Sequence, residues 1–214
     1  MTHDDKLNAL IEHTIHSCGN SLKFQSKLST ALNIESMLDA RLKHLINNLS
    51  LLPNSHYLEV GAYRGGSALC AAQGKTSGAV TTFDDFSEFN DAQHGVSGEE
   101  TALKKIIANI NMIQPQTFFA FHNEDFFKSN LARFNFAPID IYFYDGIHRF
   151  NTQYAAILKI IPYLNKYSVI IVDDWFCKIS NTNIATYKAL HDCRINIHFH
   201  TVLQPGHGIF VVEK

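Results

Sequence analysis

The sequence predicts an α/β fold: a doubly wound, mostly parallel seven-stranded sheet that closes with an antiparallel hairpin and carries extra helices at its N-terminus. Three observations lead there. From residue 56 onward, short apolar runs alternate with segments of helical period, the pattern of a parallel sheet covered on both faces. The last two runs, "INIHFHTVL" and "HGIFVVEK", are separated only by "QPG", too short for a helical crossover, so they pair as a hairpin. Each parallel strand also ends in an acidic residue, which places charge along one rim of the sheet.

Residues 5–17 set Leu7, Leu10, Ile11 and Ile15 on one helical face, and residues 35–50 repeat the pattern with Met37, Leu38, Leu42, Leu45, Ile46 and Leu49. These helices form a 1–50 extension ahead of a 51–214 domain. "HYLEVG" is the first strand, "GSALCAAQ" a helix and "AVTTFD" the second strand. The polar loop through residues 86–98, with Gly95 and Gly98, suits a lid or an ordinary connection. Ser97 and Glu100 have capping-box spacing before Leu103, Ile106, Ile107 and Ile110. "QTFFAFH" and "DIYFYD" are the third and fourth strands; Phe83, Phe86, Phe89, Phe118, Phe119 and Phe121 read mostly as core. Tyr154, Ile157, Leu158 and Ile161 mark the next helix, "YSVIIVDD" is the fifth strand, and a last helix falls near 183–193.

With 214 residues, 46% of them hydrophobic, the chain can build one large core. A net charge of −2 without a Lys/Arg cluster recommends neither nucleic acid nor a membrane surface as partner. No apolar run approaches a membrane span, and "MTHDDKLNALIEH" lacks a signal-peptide core. Cys18, Cys70, Cys177 and Cys193 form no CxxC pair, so they read as free thiols of a cytoplasmic protein. The apolar N-terminal helices could pack against a second copy, which leaves a homo-oligomer open.

In a doubly wound sheet, ligands bind at the carboxyl ends of the strands. Those ends carry Glu59 and Gly61, then Asp84 and Asp85, Asn123 to Asp125, Asp145 with His148, and finally Asp173 and Asp174. One or two acids would be ordinary helix capping; an acid at all five ends exceeds that need. Gly61 and Gly65 permit a sharp turn and a close ligand, and Gly66-Ser67 opens a helix with free N–H groups. The spacing G-x-x-x-G-G is not the dinucleotide pattern G-x-G-x-x-G. Asp84, 23 residues after Gly61, suits a ribose diol; the competing reading is a loop cap, a role that fits Asp85 better.

"LEVGAYRGGS" resembles the first motif, E-x-G-x-x-x-G-x-S, of class I S-adenosylmethionine-dependent methyltransferases. "FDDFSEF", "YFYDGIHRFNTQY" and "IIVDDW" are similar to segments of a bacterial branch related to metal-dependent small-molecule O-methyltransferases. The resemblance covers roughly residues 55–214 and implies a Rossmann-like fold. It implies that Gly61, Ala62, Tyr63, Gly65 and Ser67 line S-adenosylmethionine with Glu59 buttressing the turn, that Asp84 and Asp85 serve its ribose end, and that Asp125 or a neighbour meets the adenine. Asp145 would lie by the methyl donor, and Asp145, Asp173 and Asp174 would hold Mg²⁺. A hard cation takes oxygen ligands and acidifies a bound hydroxyl, so the set makes chemical sense.

One position departs from the pattern. Relatives with D-G-D carry a second acid where this chain has Ile147, and the base role falls instead to His148. The expected function is methyl transfer to an oxygen of a small molecule, such as a sugar or secondary metabolite. Two alternatives stand beside it: an S-adenosylmethionine-binding protein without catalysis, for which Ile147 argues, and a nucleotide-binding oxidoreductase, against which the glycine spacing and hairpin argue. His13, His16, His191, His198, His200 and His207 show no ligand spacing and read as surface or cross-strand groups. Trp175 reads as core, or as a wall of the acceptor pocket.

Overall fold

A computed structural model describes residues 3–87, 101–134, 138–179 and 181–214. The expected capping box at Ser97 and Glu100, Phe89, and the loop beyond residue 87 with Gly95 and Gly98 lie outside the described residues.

Five parallel strands, β1 (His56–Val60), β2 (Ala79–Phe83), β3 (Phe118–His122), β4 (Ile139–Tyr144) and β5 (Leu164–Val172), form most of one sheet. β6 (Asn196–Leu203) and β7 (His207–Glu213) form the expected hairpin, and the full order is β3-β2-β1-β4-β5-β7-β6. The last strand lies inside, antiparallel to β5, and β6 takes the edge. Composition accounts for this: "GIFVV" is apolar throughout and buried along its length, whereas "NIHFHT" alternates and stays partly in solvent. The order reverses between β1 and β4, whose following segments turn to opposite faces of the sheet and leave a crevice above the strand ends.

The sheet has a core on each face. Tyr142 and Tyr144 of β4 join Leu58, Ile170 and Phe210 under helices α5 (Phe150–Ile160) and α6 (Thr182–Asp192). Ile141 and Phe143 point the other way, toward α2 (Ala40–Ser50) and α3 (Gly66–Ala72), as strand pleating requires. α1 (His3–Leu22) packs beside α2 and against β5, β6 and β7, and α4 (Ala102–Ile113) precedes β3. No described helix is long and apolar enough to cross a membrane.

Some expectations need correction. α1 packs through Leu7, Leu10, Ile11 and Cys18, while Ile15 is about half exposed, because the buried stripe continues through Thr14 rather than its neighbour. α2 starts at Ala40, not near residue 35: Asp39 accepts from the Arg41 and Leu42 N–H groups and so caps the helix, leaving Met37 outside it and exposed. Phe118 is exposed rather than core, since β3 is an edge strand. Trp175 is core, packed on Phe210 and on Gly208, where a Cβ would stand 2.4 Å from the indole.

Candidate functional site

A cavity of about 450 Å³ opens at the carboxyl ends of β1 and β4, a size ordinary for small-molecule sites. Its wall includes Gly61, Tyr63, Asp84, Asp85, Asp125, Asp145, His148, Asp173 and Asp174, all expected at the strand ends. Met37 and Phe86 also reach it. Glu59, Ala62, Gly65 and Ser67 are not on the wall; they build the turn behind it.

The turn explains its own glycines. At Gly61 φ is +100°, and a Cβ there would stand 2.0 Å from the Asp145 carbonyl oxygen. The nearest neighbour of Gly61 is therefore the β4 backbone, whose Asp145 N–H donates to the Val60 carbonyl at 2.9 Å. The room at Gly65 and Gly66 is taken by Ile106 and Ser36. Of the three glycines, only Gly61 touches the cavity.

Glu59 is fully buried beneath the turn, where its carboxylate accepts from Tyr57 and Thr82 hydroxyls at 2.7 Å each and from Ser67. Burial pushes its pKa up to about 7 although those donors favour the charge. Asp84 accepts from the Tyr63 N–H at 2.6 Å and from the Phe86 N–H at 2.7 Å, one on each oxygen. The Ala62 N–H also donates to this carboxylate, which still keeps acceptor capacity for a ligand. Burial raises the Asp84 pKa, with Asp85 adding to it. Asp85 is exposed and caps Ser87, as a loop-capping residue should. Asp125 accepts from Phe127 N–H and pairs with Lys128 at 2.9 Å; burial opposes its charge, but these partners hold its pKa below the usual value.

The far end of the cavity gathers Asp145, His148 and Asp173, whose ligand atoms lie within 4.8 Å of one another. This differs from the trio Asp145, Asp173 and Asp174. At Asp174 the backbone turns left-handed (φ 50°), leaving a half-exposed carboxylate on the rim, 3.9 Å from His148 Nε2. Nε2 is nearer Asp145, at 3.3 Å, and Nδ1 is buried without a partner among the described residues. Asp145 and Asp173 lie side by side, so each carboxylate disfavours charge on the other. Burial drives the Asp145 pKa up; Asp173 is also buried, yet donation from His207 keeps its own pKa low. For His148 burial disfavours charge, and the three carboxylates, Asp145 foremost, outweigh it and raise the pKa.

His207 is a residue the sequence did not single out for this site. Its Nδ1 lies 2.5 Å from Asp173 and its Nε2 2.8 Å from Asp39. His198, by contrast, pairs across strands with Glu213, and His200 stacks on Phe210, as expected of ordinary strand histidines. Nothing in local spacing betrays His207, Asp39 or Met37: each reaches the site from a distant part of the chain.

The sequence model of a family described as a methyltransferase domain matches residues 58–175, more than half of the chain. No curated protein matches the sequence. Among solved structures, the chain is similar in fold to a SAM-dependent O-methyltransferase from Thermotoga maritima, with a TM-score of 0.59, 13% identity, and coverage of 87% of this chain and 71% of that one. It is similar to an O-methyltransferase from Bacillus cereus in complex with SAH, at a TM-score of 0.55 and 16% identity over 93% and 91% of the two chains. An rRNA methylase from Streptococcus thermophilus scores 0.55 at 16% identity, over 84% and 99%. At such identities the likenesses concern the fold. The family match runs from β1 to the acids after β5, on a sheet of the same kind, and makes this chain a member of the class I S-adenosylmethionine-dependent methyltransferase family.

Proposed function

We propose that the protein transfers the methyl group of S-adenosylmethionine to an oxygen of a small molecule, with a divalent cation such as Mg²⁺ at Asp145 and Asp173. The observation that carries this is the cluster of Asp145, Asp173 and His148, whose ligand atoms lie within 4.8 Å of one another on the cavity wall. Adjacent buried acids repel one another when both are charged, a repulsion a cation would relieve, and their oxygens suit a hard ion. Bound there, the cation would acidify an acceptor hydroxyl, and the sulfonium supplies the electrophilic methyl group.

The cavity fits the cofactor by its donors and acceptors. Asp84 offers its remaining lone pairs to a ribose diol, Gly61 and Tyr63 bring backbone against it, and Asp125 is poised for the base edge. Met37, Phe86 and Ile147 provide apolar wall. His148 donates toward Asp145 from Nε2 and becomes an acceptor for the hydroxyl proton after that proton leaves. Alignment of donor and acceptor carries most of the rate in such a displacement. The carboxylate-lined site and the absence of a Lys/Arg cluster favour a small acceptor over RNA.

Titration calorimetry with S-adenosylmethionine, S-adenosylhomocysteine and NAD tests the donor; binding of NAD alone would sink the proposal. Labelled S-adenosylmethionine incubated with pooled hydroxylated metabolites, and separately with ribosomal RNA, tests the acceptor. Label in RNA and none in the metabolites would reverse the acceptor class. Asp84→Asn is expected to weaken S-adenosylhomocysteine binding roughly 10- to 100-fold, the loss of one hydrogen bond to a charged acceptor. An unchanged affinity would remove Asp84 from the cofactor site.

A further inference from the structure

His207 opens β7, is only 5% exposed, and bridges two carboxylates from opposite ends of the chain. On one side Nδ1 meets Asp173 Oδ1 at 2.5 Å; on the other Nε2 meets Asp39 Oδ2 at 2.8 Å. Asp39 cannot swing away, because its other oxygen caps α2 through the Arg41 N–H at 2.7 Å and the Leu42 N–H at 3.3 Å. The α2 helix is itself anchored by Leu42, Leu45 and Ile46, all fully buried against the sheet. At the other end, the Asp173 N–H is tied to the Tyr144 carbonyl at 3.1 Å. With its backbone fixed and one oxygen held by His207, the Asp173 carboxylate is restrained against rotation. Oδ1 belongs to His207, and the Asp174 N–H also donates to this carboxylate, which lines the cavity beside Asp145.

We propose that His207 is a positioning residue for Asp173, and that the chain Asp39–His207–Asp173 makes the N-cap of α2 a working part of the reaction centre by fixing which carboxylate oxygen is offered to a divalent cation. The N-terminal segment thereby contributes to cation affinity without touching the ion. Partners of this kind, one bond removed from a metal ligand, typically govern 10- to 100-fold in affinity. The proposal rests on the cation reading given above.

The test uses Mn²⁺ as probe, counted as free ion by electron paramagnetic resonance, on the whole protein with S-adenosylhomocysteine titrated in parallel. His207→Gln places its amide near Nε2 and abandons Asp173; His207→Asn places its amide near Nδ1 and still donates to Asp173. Asp39→Ser keeps a cap for α2 but does not reach the ring. The expected results are a Mn²⁺ affinity 10- to 100-fold lower in His207→Gln, recovery of most of it in His207→Asn, and an intermediate loss in Asp39→Ser. S-adenosylhomocysteine affinity should stay within about threefold throughout, which also shows that the variants fold. Wild-type Mn²⁺ affinity in His207→Gln would overturn the proposal. So would parallel losses of both ligands in the Gln and Asn variants, the mark of a merely structural histidine. If the wild type and Asp173→Asn bind Mn²⁺ equally weakly, the cation reading itself falls and takes the proposal with it.

Discussion

Gly61→Ala is expected to lower stability by roughly 3–5 kcal/mol and to abolish S-adenosylhomocysteine binding in whatever fraction remains folded. Two costs coincide there. The backbone sits at φ +100°, beyond the left-handed basin that other residues visit, and the new methyl would stand 2.0 Å from a main-chain oxygen, Asp145 O. That oxygen cannot step aside, because the Asp145 N–H holds the β1 end through the Val60 carbonyl and Gly61 N–H donates to the Phe83 carbonyl. Relief would require β1 and β4 to separate, which displaces both the glycine turn and Asp145. Gly65→Ala is the control. Its φ of +82° is also unfavourable, but the added Cβ meets a side-chain carbon of Ile106 at 2.9 Å, and a side chain can yield. A loss of about 1–2 kcal/mol is expected, with binding retained. Urea denaturation and calorimetry on the two variants decide the matter: equal losses would show that Asp145 O is not the obstacle.

What the sequence disclosed follows the range of the interactions involved. β1 through β5 were legible because each is a short apolar run bounded by turn residues, and the hairpin because "QPG" is too short for anything else. Gly61 and Asp84 were legible because a turn and the acid closing the next strand have characteristic spacing. The purpose of the glycine was only half visible. A close approach was evident, but the partner turned out to be the backbone of β4. The carboxylates after β5 were visible as a pair, while the left-handed backbone that sends Asp174 to the rim, leaving His148 beside Asp145 and Asp173, is a property of one φ angle. Asp39, Met37 and His207 were hidden for a different reason. Asp39 lies 168 residues from His207, and their meeting depends on how α2 docks and on β7 pairing with β5.

Glu59 offers the other large effect, and its sign can be fixed in advance. Its side chain lies fully buried between Tyr57, Thr82 and Ser67, and its pKa is raised from 4.5 to about 7, by burial first, with the nearby Asp84 adding to it. A folded-state pKa above the unfolded one means that the folded protein holds the proton more tightly. The resulting stabilisation is therefore complete below pH 4.5 and is lost as pH rises through about 7, a change of about 3 kcal/mol. Glu59→Gln cannot titrate. Its stability relative to wild type should accordingly improve by about 3 kcal/mol between pH 4.5 and pH 8, read from urea denaturation across that range. A wild-type-minus-variant difference that stays constant with pH would mean Glu59 is ionised throughout. Glu59→Ala should be harmful at every pH, by roughly 3–5 kcal/mol, because it leaves a void and strips three hydroxyls of their shared acceptor. Since one of those hydroxyls belongs to Ser67 in the first turn of α3 and another to Thr82 two residues before Asp84, the same variant should also weaken S-adenosylhomocysteine binding. A residue with no surface on the cavity would then be felt by the ligand through the turn it supports.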